Sequence, residues 1–201
     1  MIEKRILIID NGTQYINHFE ALMQDYRLDI VHWREDLDRL DVYDLIVLSG
    51  TSYLPVFGAH TWYRRYLQSL HECRKPIIGI CFGFHLLAKA YSKAVQLRFQ
   101  PHFGHYRTTV VRPHPIFYEE RSFTGRYKHA FRIRRLGNEF IELARYSNGV
   151  AAAEHRYKPI MGIQFHPEDA MDQLSTDTFF QNAVAYLLDK EARVQRDSKT
   201  A

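Results

Sequence analysis

The sequence predicts an α/β fold, in which a doubly wound, mostly parallel central sheet is flanked by helices and extended by antiparallel strands in its second half. Two observations support this class. Short apolar runs rich in β-branched residues alternate with amphipathic helical patterns up to about residue 92. Beyond that point the segments are more polar and strand-like, and no stretch rich in Pro, Gly or Ser separates them from the first half.

The first half alternates strands and helices as a parallel sheet requires. RILIID, at residues 5–10, is a continuous apolar run that ends in Asn-Gly, as expected of a strand buried on both faces. The predicted elements are, in order, strand 5–10, helix 14–25, strand 28–33, strand 44–50, helix 60–74 and strand 75–81. Sites of such flavodoxin-like sheets lie at the carboxyl ends of the strands, where Asn11, Gly50 and Cys81 are found. Asn11, with Thr13 and Gln14, is expected to form a turn and a helix cap rather than part of a site.

The second half predicts strands added to the same core. The strand-like segments cover residues 106–112, 129–135, 140–147 and 149–155, and PIMGIQFHPED, at 159–169, is a last strand followed by a turn. A closing helix is expected from Leu174 to about Lys190. We therefore predict a single domain over residues 1–190 and a frayed C-terminal tail over 191–201.

Composition indicates an ordinary globular protein of 201 residues, with 46% hydrophobic and 25% charged residues. No apolar run approaches the ~20 residues that cross a bilayer, and charged residues occupy the start, so we expect a cytoplasmic protein with no membrane contact. Cys73 and Cys81 are the only cysteines, and a reducing compartment would keep both as free thiols.

The net charge of +4, from 27 basic and 23 acidic residues, is too small to indicate a nucleic-acid partner. Basic residues are locally in excess in RSFTGRYKHAFRIRR, at 121–135. Two interpretations stay open for this segment. It is either a solvated face of a strand and loop, or a docking surface for an anionic substrate or partner.

Cys81 lies between two glycines where the strand pattern of PIIGIC gives way to the helical pattern of FGFHLLAKAY. A sharp strand-to-helix turn directs helix N–H groups at a side chain, which suits a nucleophile; a packed core thiol is the alternative. QFHPE provides a base, because His166 and Glu168 lie two positions apart at the end of an extended segment and face the same side. Such a carboxylate can hold one ring nitrogen of the imidazole and leave the other for Cys81.

The two motifs together resemble the class I glutamine amidotransferase family. GICFGFHLL is similar to the nucleophile elbow of that family, G-x-C-x-G-x-Q, and GIQFHPE is similar to its H-P-E motif. Further similar stretches are ILIIDNGTQY, IVLSGT, FGHY and KHAFRIRRLGNEFIELARYSNGVAAAEH. The resemblance extends from about residue 4 to about residue 185.

This resemblance implies a triad in which Cys81 is the nucleophile, His166 the general base and acid, and Glu168 the group that orients the imidazole. It implies a γ-glutamyl thioester intermediate, hydrolysis of the side-chain amide of glutamine, and transfer of ammonia to a synthase partner. Backbone N–H groups of Phe82 and of the region of Gly50 and Thr51 would bind the oxyanion.

The chain departs from the family pattern around the implied substrate pocket. His85 stands where the family has glutamine, and is either a helix residue with local hydrogen bonds or a substrate-binding group. The oxyanion loop, SGTSYLPVFG, has Thr51 and Ser52 where glycine is usual, and Tyr53 is either a pocket wall or an exposed aromatic. His129 lies near a position where the family often has a histidine followed by a small residue. His85, Tyr53 and His129 are therefore the candidate substrate-binding residues.

Three functional hypotheses follow. The first is a glutaminase subunit with a separate synthase, since 201 residues are too few for both activities. The second is a hydrolase that uses the same triad on γ-glutamyl conjugates, favoured by His85 and the basic segment. The third is a regulatory or binding protein that keeps the fold without catalysis. No cofactor and no metal is expected, because the chain lacks a P-loop and the paired Cys and His spacing of a structural zinc site.

Overall fold

The computed structural model describes residues 3–35, 37, 39–52, 61–169 and 176–197, apart from the side chains of 61–63 and 191–197. The strands and α-helices are, in chain order, β1 (Arg5–Asp10), α1 (His18–Leu22), β2 (Arg27–His32), β3 (Leu45–Leu48), α2 (Thr61–Glu72), β4 (Ile77–Ile80), α3 (Phe82–Tyr91), β5 (Gln96–Val110), β6 (Ser122–Arg135), β7 (Phe140–Tyr146), β8 (Gly149–His155), β9 (Ile160–Ile163) and α4 (Thr176–Asp197). Short 3₁₀ helices cover Leu40–Val42 and Pro115–Phe117.

The described strands form one sheet in the order β2-β1-β3-β4-β9-β8-β7-β5-β6. The first five of these are parallel to one another, and the rest are joined by antiparallel pairs. The predicted doubly wound sheet with antiparallel additions is thus confirmed. β9, the last strand of the chain, lies directly beside β4.

The core lies on both faces of the sheet because successive residues of the buried strands point to opposite faces. Ile8 of β1 belongs to the cluster that includes side chains of α1 and α4, whereas Leu7 belongs to the cluster with α2 and α3. Each fully buried aliphatic side chain of this kind contributes about 1.5–3 kcal/mol to folding. Within the described part of the chain, no helix is long and apolar enough to cross a membrane.

Element boundaries differ from the predictions most in four places. The strand predicted over 129–135 begins earlier, as β6 at residue 122. The helix predicted over 14–25 is shorter, because Asp10 Oδ1 accepts hydrogen bonds from the N–H groups of Gly12 (2.8 Å) and Thr13 (3.0 Å), and turns precede α1. The strand predicted over 106–112 begins much earlier, as β5 at residue 96. The closing helix continues past the predicted end near Lys190, so residues assigned to the tail are helical up to Asp197.

The antiparallel half of the sheet curls back over the carboxyl ends of the parallel strands. β6 is the last strand in the sheet order, yet the carbonyl of its residue Arg126 accepts a hydrogen bond from His166 N, at 2.9 Å, just beyond β9. This closure turns the middle of β6 into a wall opposite the start of α3. The fold therefore creates a cavity at the edge where sites of doubly wound sheets occur.

Candidate active site

Three adjacent strands end at this cavity. Gly50 follows β3, Cys81 follows β4 and His166 follows β9. The backbone N–H of Cys81 donates to the carbonyl of Ile163 at 2.7 Å, which ties the end of β4 to the end of β9. A Cβ atom built on Gly50 would lie 3.0 Å from His166 Cε1 and 3.6 Å from Cys81 Cβ. The structure thus brings together residues that lie far apart in sequence.

Cys81 occupies a strained strand-to-helix turn. Its φ of 52° and ψ of −102° place a non-glycine residue at positive φ, a type of conformation that costs about 1–3 kcal/mol. α3 starts at the next residue, and Gly83 lets the helix approach β3 so closely that a Cβ atom there would overlap the backbone of Leu48. The thiol is buried, and its Sγ donates to the carbonyl of Lys128 at 3.8 Å. This geometry is that of a nucleophile elbow.

His166 and Glu168 form a buried pair. His166 Nδ1 lies 2.8 Å from Glu168 Oε1, and the two residues are only 4% and 1% exposed. Burial alone would lower the pKa of His166, but Glu168 and Cys81 outweigh it and raise that pKa well above its ordinary value. Apart from this interaction with Cys81, His166 Nε2 has no hydrogen-bond partner among the described residues, so it is available to the thiol and to a substrate. The imidazole can therefore take up a thiol proton readily.

The predicted oxyanion region is held by a set of hydrogen bonds, the Asn11 clamp, that the sequence pattern does not reveal. Asn11 was expected to form a turn, but its N–H donates to Ser49 Oγ and its Nδ2 donates to Ser49 O, both at 2.9 Å. The hydroxyl of Tyr66 donates to Asn11 Oδ1 at 2.9 Å. These bonds hold the chain that leads into Gly50. Phe82, the other predicted oxyanion residue, is the first residue of α3, and backbone N–H groups at a helix start favour negative charge.

The cavity has a volume of about 260 Å³ and contains both Cys81 and His166 in its lining. Its described lining residues are 13–15, 51–52, 81–82, 85, 103, 128–131 and 166. Two of the candidate substrate-binding residues, His85 and His129, are thus in the wall, as is the predicted oxyanion residue Thr51. Tyr53 lies outside the described residues. No group of three or more His, Cys, Asp or Glu residues that could hold a metal ion occurs in the described ranges.

Burial keeps His85 and His129, the two lining histidines outside the triad, neutral at pH 7. His85 Nε2 lies 2.8 Å from Gln164 Oε1, and burial lowers the pKa of His85 to about 4. This bond reaches across to the chain beyond β9 and is not the local helix contact that the sequence left open. His129 Nε2 lies 2.6 Å from the hydroxyl of Tyr146, and burial, followed by the neighbouring imidazoles, lowers the pKa of His129 to about 3.

Lys128 was not recognised as a site residue from the sequence. It is the only Lys, Arg, Asp or Glu among the described residues of the lining, and its Nζ donates to Gln14 Oε1 at 2.9 Å. Gln14 also lines the cavity. The only sign in the sequence that Lys128 belongs to the site is its position beside His129, within the basic segment. Outside the triad, the described lining therefore combines the cation of Lys128 with neutral hydrogen-bonding groups, which suits a small polar substrate with a negative charge.

The family model of glutamine amidotransferase class-I matches residues 7–186 of the chain. The chain belongs to the class-I glutamine amidotransferase family. As in the sequence motifs, the match includes the elbow, the oxyanion region and the H-P-E turn.

The relatives of this class-I glutamine amidotransferase domain include GMP synthases. It is 34% identical over 172 residues to a subunit of the glutamine-hydrolyzing GMP synthase of Methanococcus aeolicus, covering 81% of this chain and 87% of the relative. It is 26% identical over 173 residues to the glutamine-hydrolyzing GMP synthase of Spiroplasma kunkelii, covering 82% of this chain and 32% of the relative. The chain thus spans about a third of the length of relatives of that second kind.

A solved structure has the same fold along nearly the whole chain. It is a protein of Thermoplasma acidophilum, provisionally assigned as a GMP synthase subunit, with a TM-score of 0.81 and 23% identity over 98% of this chain and 99% of that one. At this identity the likeness establishes the fold of the amidotransferase domain.

Proposed function

We propose that this chain is a glutaminase that hydrolyses the side-chain amide of glutamine and passes the ammonia to a separate synthase, as a glutamine amidotransferase subunit of the cytoplasm. The observation that supports it most strongly is the meeting of Cys81 with the buried pair of His166 and Glu168 in an open cavity. The relative from Methanococcus aeolicus, itself named as one subunit of a GMP synthase, supports a partner of the synthase class.

The proposed reaction begins with transfer of the Cys81 proton to His166 Nε2. The thiolate attacks the amide carbon, and N–H groups of Phe82 and of the loop at Gly50 donate hydrogen bonds to the oxyanion, each donor being worth about 3 kcal/mol in the transition state. The imidazolium then donates its proton to the leaving nitrogen, so ammonia departs and a thioester remains. Water, deprotonated by His166, attacks the thioester, and collapse of the second oxyanion releases glutamate and restores the thiol.

Lys128 gives the proposed pocket its charge preference. The γ-amide must reach Cys81, whereas the amino-acid end of glutamine carries a carboxylate. Lys128 touches the nucleophile through its carbonyl and reaches Gln14 through its ammonium group, so its cation lies on the same wall as the reacting sulfur. We therefore assign Lys128 to the carboxylate, and His85 and His129 to neutral hydrogen bonds with the substrate.

Ammonia release from glutamine by the wild type and by Cys81→Ala tests the proposal. A diazo-ketone analogue of glutamine should label the thiol of Cys81, which mass spectrometry of the peptide detects, and Cys73 is the internal control in the same digest. Activity and labelling should both depend on Cys81. An absence of both, also in the presence of the synthase component of a related GMP synthase, would favour the binding-protein hypothesis.

A hydrolase of γ-glutamyl conjugates is the second candidate. The supporting observation is His85, which stands in the cavity wall where the family motif has glutamine and is bonded to Gln164. Cleavage of γ-glutamyl conjugates faster than of glutamine would select this candidate. If His85→Gln raises the rate with free glutamine and lowers it with conjugates, His85 sets the choice of substrate.

A further inference from the structure

Asp169 is a second buried carboxylate beside the triad, and the proposed reaction does not use it. Its side chain is fully buried directly after Glu168, and its Oδ1 has no hydrogen-bond partner among the described residues. Its N–H donates to the carbonyl of His166 at 3.3 Å, which closes the H-P-E turn. A buried carboxylate is costly unless it is paired, so its presence at this position requires a reason.

Arg126 is the partner of Asp169 and also contacts the catalytic turn through its backbone. Its Nε donates to Asp169 Oδ2, while its carbonyl accepts the N–H of His166 at 2.9 Å. One residue of β6 thus holds both ends of the short segment that contains His166. The guanidinium side chain is 27% exposed, so it can be replaced without opening the core.

Tyr15 extends this contact to the loop after β1. Its ring lies 5.7 Å from the ring of His166, and its pKa is raised by burial and then by Asp169. Lys128 Nζ lies 5.8 Å from the centre of the Tyr15 ring. The imidazole is therefore packed between the turn, β6 and this loop, and the ion pair lies where the three meet.

We propose that Asp169 and Arg126 are positioning residues, which hold the imidazole of His166 in line with Cys81 and cancel each other's charge beside it. The expected effect on glutamine turnover rests on the proposed function, whereas the expected effect on the reactivity of the Cys81 thiol does not. Without Arg126, Asp169 would add a second negative charge to that of Glu168. Without Asp169, Arg126 would place an uncompensated cation near the imidazole. Charged and titratable groups on the elements packed here are Tyr15, His18, Cys81, His85, Arg126, Lys128, His129, His166, Glu168 and Asp169.

The test compares Asp169→Asn, Arg126→Gln, Arg126→Lys and the double variant Asp169→Asn/Arg126→Gln. Each single neutral variant should lower kcat about 10- to 100-fold with little change in KM, because a misplaced catalytic group slows the chemistry more than the binding. Arg126→Lys, which keeps the charge, should recover part of the loss. Asp29→Asn is the matched control, because Arg5 and Asp29 form the same kind of ion pair, at 2.7 Å, on β1 and β2 away from the cavity.

The pH dependence of Cys81 alkylation by iodoacetamide gives a second measurement that needs no substrate. The upper inflection reports loss of the His166 proton. It should move down by ~0.5 unit or more in Asp169→Asn and up by a similar amount in Arg126→Gln, and the double variant should return towards the wild type. A purely structural defect would move both single variants in the same direction.

The outcomes separate this inference from the proposed function. Alkylation profiles of both single variants that match those of the wild type and Asp29→Asn would overturn the positioning role, whatever the activity with glutamine. Opposite shifts in a protein without glutaminase activity would support the positioning role and reject the proposed substrate. If Asp169→Asn fails to fold, the two Arg126 variants decide, because their side chain is partly exposed.

Discussion

Alanine at position 50 tests the packing of the catalytic loops most directly. Gly12 and Gly104 are the described glycines with positive φ, so the backbone at Gly50 does not itself require glycine. An added methyl carbon would lie 3.0 Å from His166 Cε1. Carbon atoms normally pack at about 3.5–4.0 Å, so the imidazole or the loop must move by about 0.5 Å. Since a displacement of about 1 Å can cost 10²-fold in rate, we expect Gly50→Ala to lose about tenfold in kcat.

Two assays check this prediction. Ammonia release from glutamine gives kcat and KM, and iodoacetamide alkylation gives the reactivity of Cys81 without a substrate. Thermal unfolding should show a loss of stability of only about 1–3 kcal/mol, the usual cost of adding one methyl group to a packed site. A folded Gly50→Ala protein with wild-type turnover and wild-type alkylation would refute the placement of Gly50 against the imidazole.

Three other substitutions give distinct results. Glu168→Gln should lower kcat about 10²- to 10³-fold and lower the pKa of His166. A raised histidine pKa stabilises the fold below about pH 6.5, and this stabilisation is lost as the pH rises through the pKa of the folded protein. Urea unfolding should therefore show the largest destabilisation by Glu168→Gln near pH 6. His85 has a lowered pKa of about 4, so its protonation alone should remove ~3 kcal/mol of stability between pH 6.5 and 4. In urea unfolding, His85→Gln should lack this part of the acid destabilisation, while the part due to His129 remains. Asn11→Ala removes the side-chain bonds to the carbonyl of Ser49 and from the hydroxyl of Tyr66, while the backbone bond to Ser49 Oγ remains. It should cost about 1–3 kcal/mol by urea unfolding and lower kcat more than it raises KM.

Each of these results has a contrary outcome. A destabilisation by Glu168→Gln that grows towards alkaline pH would contradict the assigned protonation of His166. An unchanged acid limb in His85→Gln would mean that His85 is not buried in its neutral form. A stable Asn11→Ala protein with normal kcat would show that the loop is held by other contacts.

Local sequence patterns determined much of the fold and of the site. β1 and β8 begin and end where their apolar patterns do, because short-range alternation and turn residues are encoded within each segment. Cys81 between glycines, and His166 two positions from Glu168, indicated the proposed reacting groups because their chemistry depends on neighbours in sequence. The short helix before β2 was mispredicted, since Asp10 stabilises turns that the helical spacing of apolar residues does not reveal.

Contacts between distant segments were decided only by the tertiary structure. The insertion of β9 beside β4 carries His166 to Cys81, and the curl of β6 brings Arg126 and Lys128 to the same cavity. No local sequence pattern predicts either of these two strand placements, because each depends on burial of the whole sheet and on the register of long strands. The clamp by Asn11 is of the same kind. The sequence by itself therefore determined which groups are the candidates for reaction, whereas the tertiary structure decided which residues surround them, orient them and set their charge.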